Sequence, residues 1–156
     1  MIINTKFVRV FLLSPFLLAM SCVLLYSCRP DNEKQLTETA RAFSDSYFNW
    51  QYFNSINYCT SDSKLWLSYM ASQVDEQDVN ALRARKENAS VEVEDVELLR
   101  GDSTAMVKVK VRNYLNMDTI GIKDRVVDKA VFIIPMRRDG DAWKVHLTAP
   151  LRAARD

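Results

Sequence analysis

The chain has 156 residues, enough for one domain, and is 48% apolar and 10% aromatic, which excludes a disordered chain. Only three glycines and four prolines are present, which excludes collagen-like and linker-rich architectures. Lys6 and Arg9 are the only charges before Cys28, leaving 19 bases against 20 acids from Cys28 onward, a balance with no electrostatic case for nucleic acid.

Residues 1–27 have the layout of an export signal. Met1 to Arg9 is a positive n-region, Val10 to Tyr26 is a run without charge, and Ser27-Cys28-Arg29-Pro30-Asp31 ends it abruptly. An uncleaved anchor helix is the rival reading, since the run approaches membrane-spanning length. Pro15 in its middle and the short basic flank weigh against that rival. Leu25-Tyr26-Ser27-Cys28 resembles the bacterial lipobox: a branched apolar residue, a small residue before the junction, and Cys. Cys22 after Ser21 is an alternative, but cleavage there would leave Val-Leu-Leu-Tyr near the mature N-terminus. The lipobox resemblance implies acylation of Cys28 and a membrane as partner. Each buried methylene contributes roughly 0.8 kcal/mol, so several acyl chains hold stably where one does not. Arg29 rather than Asp after the Cys resembles outer-membrane sorting, with residues 28–35 as lipidated Cys and polar tether. Cys59 is then the one cysteine left with a free thiol, and it reads as a small buried apolar side chain.

Helices come next. Asn32 is a candidate N-cap. Leu36, Ala40, Phe43, Tyr47, Trp50 and Asn54 recur at three- and four-residue spacing, predicting one long amphipathic helix, with Phe48, Tyr52 and Ile56 as a second apolar line. Ser61-Asp62 opens a second helix whose inward residues are expected to be Leu65, Trp66, Tyr69 and Met70. Asp75-Glu76-Gln77-Asp78 resembles a capping arrangement for a third, to about Lys86, burying Val79 and Leu82.

The period then changes to two. Val91, Val93, Val96 and Leu98 predict a strand with a bulge near Asp95. Arg100-Gly101-Asp102-Ser103 is a turn. Ala105, Val107, Val109, Val111, Asn113 and Leu115 alternate with Met106, Lys108, Lys110, Arg112 and Tyr114, a strand with one wet face. Asn116 to Lys123 is a loop, Asp124 to Arg137 a third strand, Asp139-Gly140 a hairpin signal, and Trp143 to Ala149 a fourth strand. Glu92, Glu94 and Glu97 opposite Lys108, Lys110 and Arg112 predict cross-strand ion pairs. The expected fold class is α+β, three helices packed on a four-stranded antiparallel sheet.

Phe43 to Trp50 with Tyr52, and the closing Arg138-Asp-Gly-Asp-Ala-Trp-Lys-Val145, resemble the nuclear transport factor 2-like superfamily over about residues 36–152. The resemblance implies a cone of helices on a curved sheet. It is strongest to small lipid-anchored members from gut-type, Bacteroides-like Gram-negative bacteria. It also implies a cavity in which an inward Asp, Tyr or His does acid–base work in the enzymes.

Strand parity places Asp128 with Ala130, Phe132, Ile134 and Met136, and Asn113 on the inward face of its own strand. With Tyr47, Trp50, Asn54, Phe132 and Trp143 they are the candidate pocket lining, mostly apolar with a few polar groups; the competing reading is a filled core. His146 is the chain's one histidine. Its parity sends it with Lys144 and Thr148 to the wet face, a poor place for a general base. One histidine and one free cysteine build no metal site, and no glycine-rich phosphate loop is present, so no cofactor is expected.

Three functions follow. The first is a non-enzymatic lipid-anchored binding or accessory domain at the cell envelope, taking an unknown small apolar ligand or envelope protein. The second is an isomerase- or dehydratase-type enzyme using Asp128 or Tyr47. The third is an envelope subunit that forms a homodimer through the sheet, hinted at by Met106, Tyr114 and Val127 on a charged face.

Overall fold

The computed structural model describes residues 29–99, 101–116 and 125–154. The expected signal segment with Cys28, Arg100 of the expected first turn, and most of the expected loop lie outside the described residues. In chain order come α1 (Arg29–Phe48), α2 (Tyr52–Ser55), 3-10 turns at Ile56–Tyr58 and Ser61–Ser63, α3 (Lys64–Ser72), α4 (Glu76–Ala84), β1 (Ser90–Leu98), β2 (Thr104–Asn116), β3 (Arg125–Asp139) and β4 (Ala142–Val145). The strands form one antiparallel sheet in the order β1-β2-β3-β4. The fold is α+β, helices first and a meander second. The chain divides into two units, Met1–Lys34 and Gln35–Asp156, and the second holds the sheet and its core.

The residues read as a polar tether are helical from Arg29, the first described position, not from a cap at Asn32. Pro30 and Asp31 suit a first turn, where a missing N–H costs nothing and an acid meets the positive end of the helix dipole. Leu36, Ala40, Phe43 and Tyr47 form the expected buried stripe.

The stripe does not continue as one helix to Asn54. The Trp50 N–H donates to the Tyr47 carbonyl (3.0 Å) and the Gln51 N–H to the Ser46 carbonyl (2.8 Å). Those paired bonds are a Schellman ending, whose left-handed position glycine usually fills. Here it is Trp50, at φ +60°. The left-handed backbone costs a non-glycine residue roughly 1–2 kcal/mol. The half-buried indole, packed against the core, offsets it. After this break Tyr52 and Ser55 of α2 are buried and Asn54 is exposed.

In α3 Leu67 is buried and Trp66 and Met70 pack on the core as expected, while Leu65 is 71% and Tyr69 49% exposed, which corrects the inward placement of those two. Helical periodicity fixes the spacing of a stripe but not its phase when apolar residues sit on both sides. α4 carries the predicted capping box: Asp75 and Asp78 each accept from the other's backbone N–H at 2.9 Å. It ends at Ala84 because Arg85 is extended (ψ 138°), and Val79 and Leu82 are half-buried.

The sheet's inner face carries Ala105, Val107, Val109 and Val111 of β2, Phe132, Ile134 and Met136 of β3, and Trp143 and Val145 of β4, all buried. Each larger one contributes roughly 1.5–3 kcal/mol. β1 shifts register between Val93 and Asp95, the expected bulge. Gly101 and Asp102 both take positive φ in the turn to β2, and Gly140 does so in the β3–β4 hairpin. On the outer face Lys108 pairs with Glu94 (3.3 Å) and Lys110 with both Glu92 (3.6 Å) and Glu94. These bonds hold the Glu94 carboxyl below the usual range and the Lys110 ammonium above it.

Both long strands change phase at one rung. Arg112 pairs with Lys129 and Tyr114 with Val127, but the rung between them, Asn113 opposite Asp128, is unpaired. Asn113 is left-handed, at φ +54°. Beyond it Tyr114 is buried where simple alternation would put it outside, and Val127 packs on the core. Asp128 is exposed, not inward. Tyr114 and Val127 therefore do not mark the outer face. The apolar residues there include Met106, Val131, Ile133 and Pro135, between the inward positions of β2 and β3, and Val126 beyond the phase change. β4 ends at Val145; Leu147 is buried beyond it and Ala149 is exposed.

Candidate functional site

Of the expected pocket residues, the fold brings Tyr47 and Phe132 into one aromatic cluster. Tyr47 stacks on Phe43 (centroids 5.4 Å apart) and meets Phe48 (5.2 Å) and Tyr52 (5.5 Å) edge-on. Phe48 in turn lies 4.5 Å from Phe132 and 5.6 Å from Tyr114, and Tyr114 lies 5.4 Å from Phe132. Edge-to-face and tilted pairs at these spacings are worth about 0.5–1.5 kcal/mol each beyond burial. Burial, reinforced by Tyr47 and Asp78, pushes the Tyr52 phenol well above its ordinary range, so it is a neutral hydroxyl at any working pH.

The other expected residues lie elsewhere. Trp143 is buried against α1 at Gln35, whose side-chain oxygen accepts its backbone N–H (3.2 Å), with the Arg138 guanidinium 5.8 Å over its ring. Gln35 and Tyr47 are about 18 Å apart at the helical rise, so Trp143 does not join the cluster. Asn54 is exposed and bonded to the Gln51 side chain (3.0 Å). Trp50 closes the end of α1.

Asn113 belongs to a polar bracket absent from the sequence reading. Its carbonyl, turned out of the ladder by the left-handed backbone, accepts from Arg85 Nη1 (3.1 Å), and its amide donates to Glu87 (3.1 Å). Arg85 Nη2 donates to the Asn49 side-chain oxygen (3.3 Å). Asn49 also binds both backbone groups of Ala89, accepting from its N–H at 2.9 Å and donating to its carbonyl at 3.1 Å. The side-chain amide of Asn49 mimics a strand residue, pinning the entry of β1 to the end of α1. Burial holds the Arg85 guanidinium below its ordinary range.

A second cluster surrounds His146, which is half-buried and not on the wet face as parity implied. The segment Cys59–Ser63 runs beside the end of β4, with Cys59 bridged to Val145 and the Thr60 N–H donating to the Val145 carbonyl (2.9 Å). Thr60 and Ser63 hydroxyls bond each other at 2.7 Å; Ser63 donates to the Val145 carbonyl (3.2 Å) and accepts from the Leu147 N–H (2.8 Å). Nδ1 of His146 lies 3.3 Å from Thr60 Oγ1 and 3.4 Å from Asp62, and its Nε2 lies 3.4 Å from Arg137 Nη1. Arg137 Nη2 donates to both Asp62 oxygens (3.3 and 3.2 Å). A hydrogen bond from Thr60, with Arg137 and His146 nearby, holds the Asp62 carboxyl below its usual range.

Ser, His and Asp here do not make a nucleophilic triad. Ser63 is fully buried, its hydroxyl is engaged with the Val145 carbonyl and the Leu147 N–H, and His146 reaches Thr60 instead. Cys59 is buried, and desolvation pushes its thiol up to about 12, the state of an inert core sulfur. Among the described residues no three His, Cys, Asp or Glu side chains could hold a metal, and no helix is long and apolar enough to cross a membrane.

No protein-family model matches the chain, and no curated protein does. The chain is similar to a solved "Ntf2 like protein involved in plasmid conjugation". The likeness has a TM-score of 0.41 and 13% identity, and covers 80% of this chain and 49% of that one. The chain thus spans about half the length of that structure.

Proposed function

We propose that the protein is a non-catalytic binding or accessory domain of nuclear transport factor 2-like fold, held by lipid on Cys28 at a Gram-negative cell envelope, on the outer membrane. The observation that carries the reading is the junction Leu25-Tyr26-Ser27-Cys28 behind a basic n-region and a chargeless run. The non-catalytic part is supported by what fills the helix–sheet interior. Among the described residues, aromatic rings pack there in mutual contact, the phenols of Tyr47, Tyr52 and Tyr114 among them, with burial holding Tyr52 neutral; the other buried polar side chains are hydroxyls of Ser44, Ser46, Ser55, Thr60 and Ser63, and Asp128 is outside. A general acid or base needs a titratable group within reach of substrate. The partner is an apolar small molecule or another envelope protein, met close to the membrane; a second copy of the chain is the other partner proposed.

The test is expression of the full chain in a Gram-negative host with labelled palmitate, followed by intact mass. The expected product begins at Cys28 and carries acyl chains, and Cys28→Ser abolishes both cleavage and label. Undiminished palmitate in Cys28→Ser overturns the anchor. Mass spectrometry of the natively purified protein for a retained apolar molecule tests the binding role.

A further inference from the structure

We propose that His146 makes the covering of the free edge of β4 sensitive to pH, with the Thr60–Ser63 turn clamped on while the imidazole is neutral and loosened when it is protonated. The geometry defines the closed state. Arg137 has only N–H groups to offer, so Nε2 of His146, 3.4 Å from Nη1, must accept and carry no proton. The ring's proton is then on Nδ1, aimed at Asp62 and Thr60. This tautomer satisfies every group: Arg137 bonds Asp62 and the ring, and the ring bonds the turn. Three elements are thereby tied together, namely β3 through Arg137, the end of β4 through His146, and the turn through Asp62.

Protonation undoes one of those bonds. Nε2 becomes a donor facing a donor, and two cations stand 3.4 Å apart. The new attraction of the ring to Asp62 acts over the same 3.4 Å as the new repulsion from Arg137, so the two nearly cancel. What remains is the lost hydrogen bond and a displaced Arg137, which is also the turn's ion-pair partner. The charged groups against the ring are Asp62 and Arg137. Lys144, two residues back, is engaged with the Asn57 carbonyl (2.9 Å). Asp62 is held below the usual carboxylate range, so it stays ionised while the ring gains its proton. Loosening the turn uncovers Val145 and Leu147, whose carbonyl and N–H are the groups a neighbouring strand would bind.

Hydrogen exchange of the full chain, corrected for the intrinsic rate, tests this at the Thr60 and Leu147 amides. Between pH 7.5 and 5.0 their protection should fall about fivefold, the factor one hydrogen bond is worth, while β2 amides hold constant. His146→Gln should show no such change, and Arg137→Gln a smaller one. Unchanged protection in the wild type, or the same pH change in His146→Gln, overturns the proposal. Should the variants fail to fold, ring 15N shifts of the wild type decide: a neutral ring protonated on Nε2 is incompatible with the clamp.

Discussion

Asn113 and Asp128 stand opposite each other across β2 and β3 at an unpaired rung, and both strands change phase there together. Because the two slips coincide, the register continues unbroken on either side. The left-handed Asn113 is what sends Tyr114 inward onto Phe48 and Phe132. Asn113→Val should therefore destabilise by about 2 kcal/mol or more, since a β-branched residue cannot take positive φ cheaply. Asn113→Gly should cost less, as it keeps the carbonyl to Arg85 and loses the bond to Glu87. Urea midpoints check the order; equal losses would place the strain elsewhere.

Trp50 allows a similar comparison at the end of α1. Trp50→Ala loses the packed indole and keeps the strained backbone, so it should destabilise by about 2–4 kcal/mol, short of the full cost of a core Trp. Trp50→Gly loses the same packing but relieves the left-handed position, and should be the more stable of the two by about 1 kcal/mol. Thermal melts of the pair measure that difference directly. Alanine equal to or better than glycine would show that the helix does not end in this way.

Asn49 holds Ala89 by both its backbone groups, and Ala89 is buried. Asn49→Ala leaves those groups unsatisfied, at about 1–3 kcal/mol for each. Asn49→Asp retains the acceptor for the Ala89 N–H and gains a charge beside Arg85, losing only the donor side, so it should be the milder change. Hydrogen exchange at Ala89 reads the local effect: its amide should exchange faster in Asn49→Ala and stay protected in Asn49→Asp.

Cys59 supplies a pH dependence. Its thiol is pushed up to about 12 in the folded protein, whereas an unfolded thiol ionises near its ordinary value of 9.0. The folded state therefore holds its proton longer. Its contribution to stability is fully present below pH 9 and is lost progressively as pH rises from there toward 12. Cys59→Ala should flatten that alkaline decline. Reaction with a thiol reagent at pH 8.5 should run at the rate of unfolding and not of the reagent; rapid labelling of the native protein would contradict the buried sulfur.

Periodicity in the sequence was sufficient for the order of the elements, the α+β class, the bulge at Asp95, the Asp75–Asp78 capping box and the glutamate–lysine pairs of the first hairpin. Each of these depends on residues near in sequence or on one alternating face, where steric and hydrogen-bond rules are local. The proposed lipidation of Cys28 rests on the sequence alone. Phase and partnership were decided by tertiary structure. Leu67, not Leu65 or Tyr69, turns inward because the packing of α3 chooses among apolar faces that the helix itself makes equivalent. Asp128 left the candidate pocket because parity counting assumes an unbroken pleat, and one left-handed residue on the neighbouring strand rotated the rung. His146 reads as solvent-facing on its own strand, and only the return of the Thr60–Ser63 turn, more than 80 residues earlier in the chain, covers it. A contact across that separation has no signature in local spacing, since it is set by where the whole chain folds back.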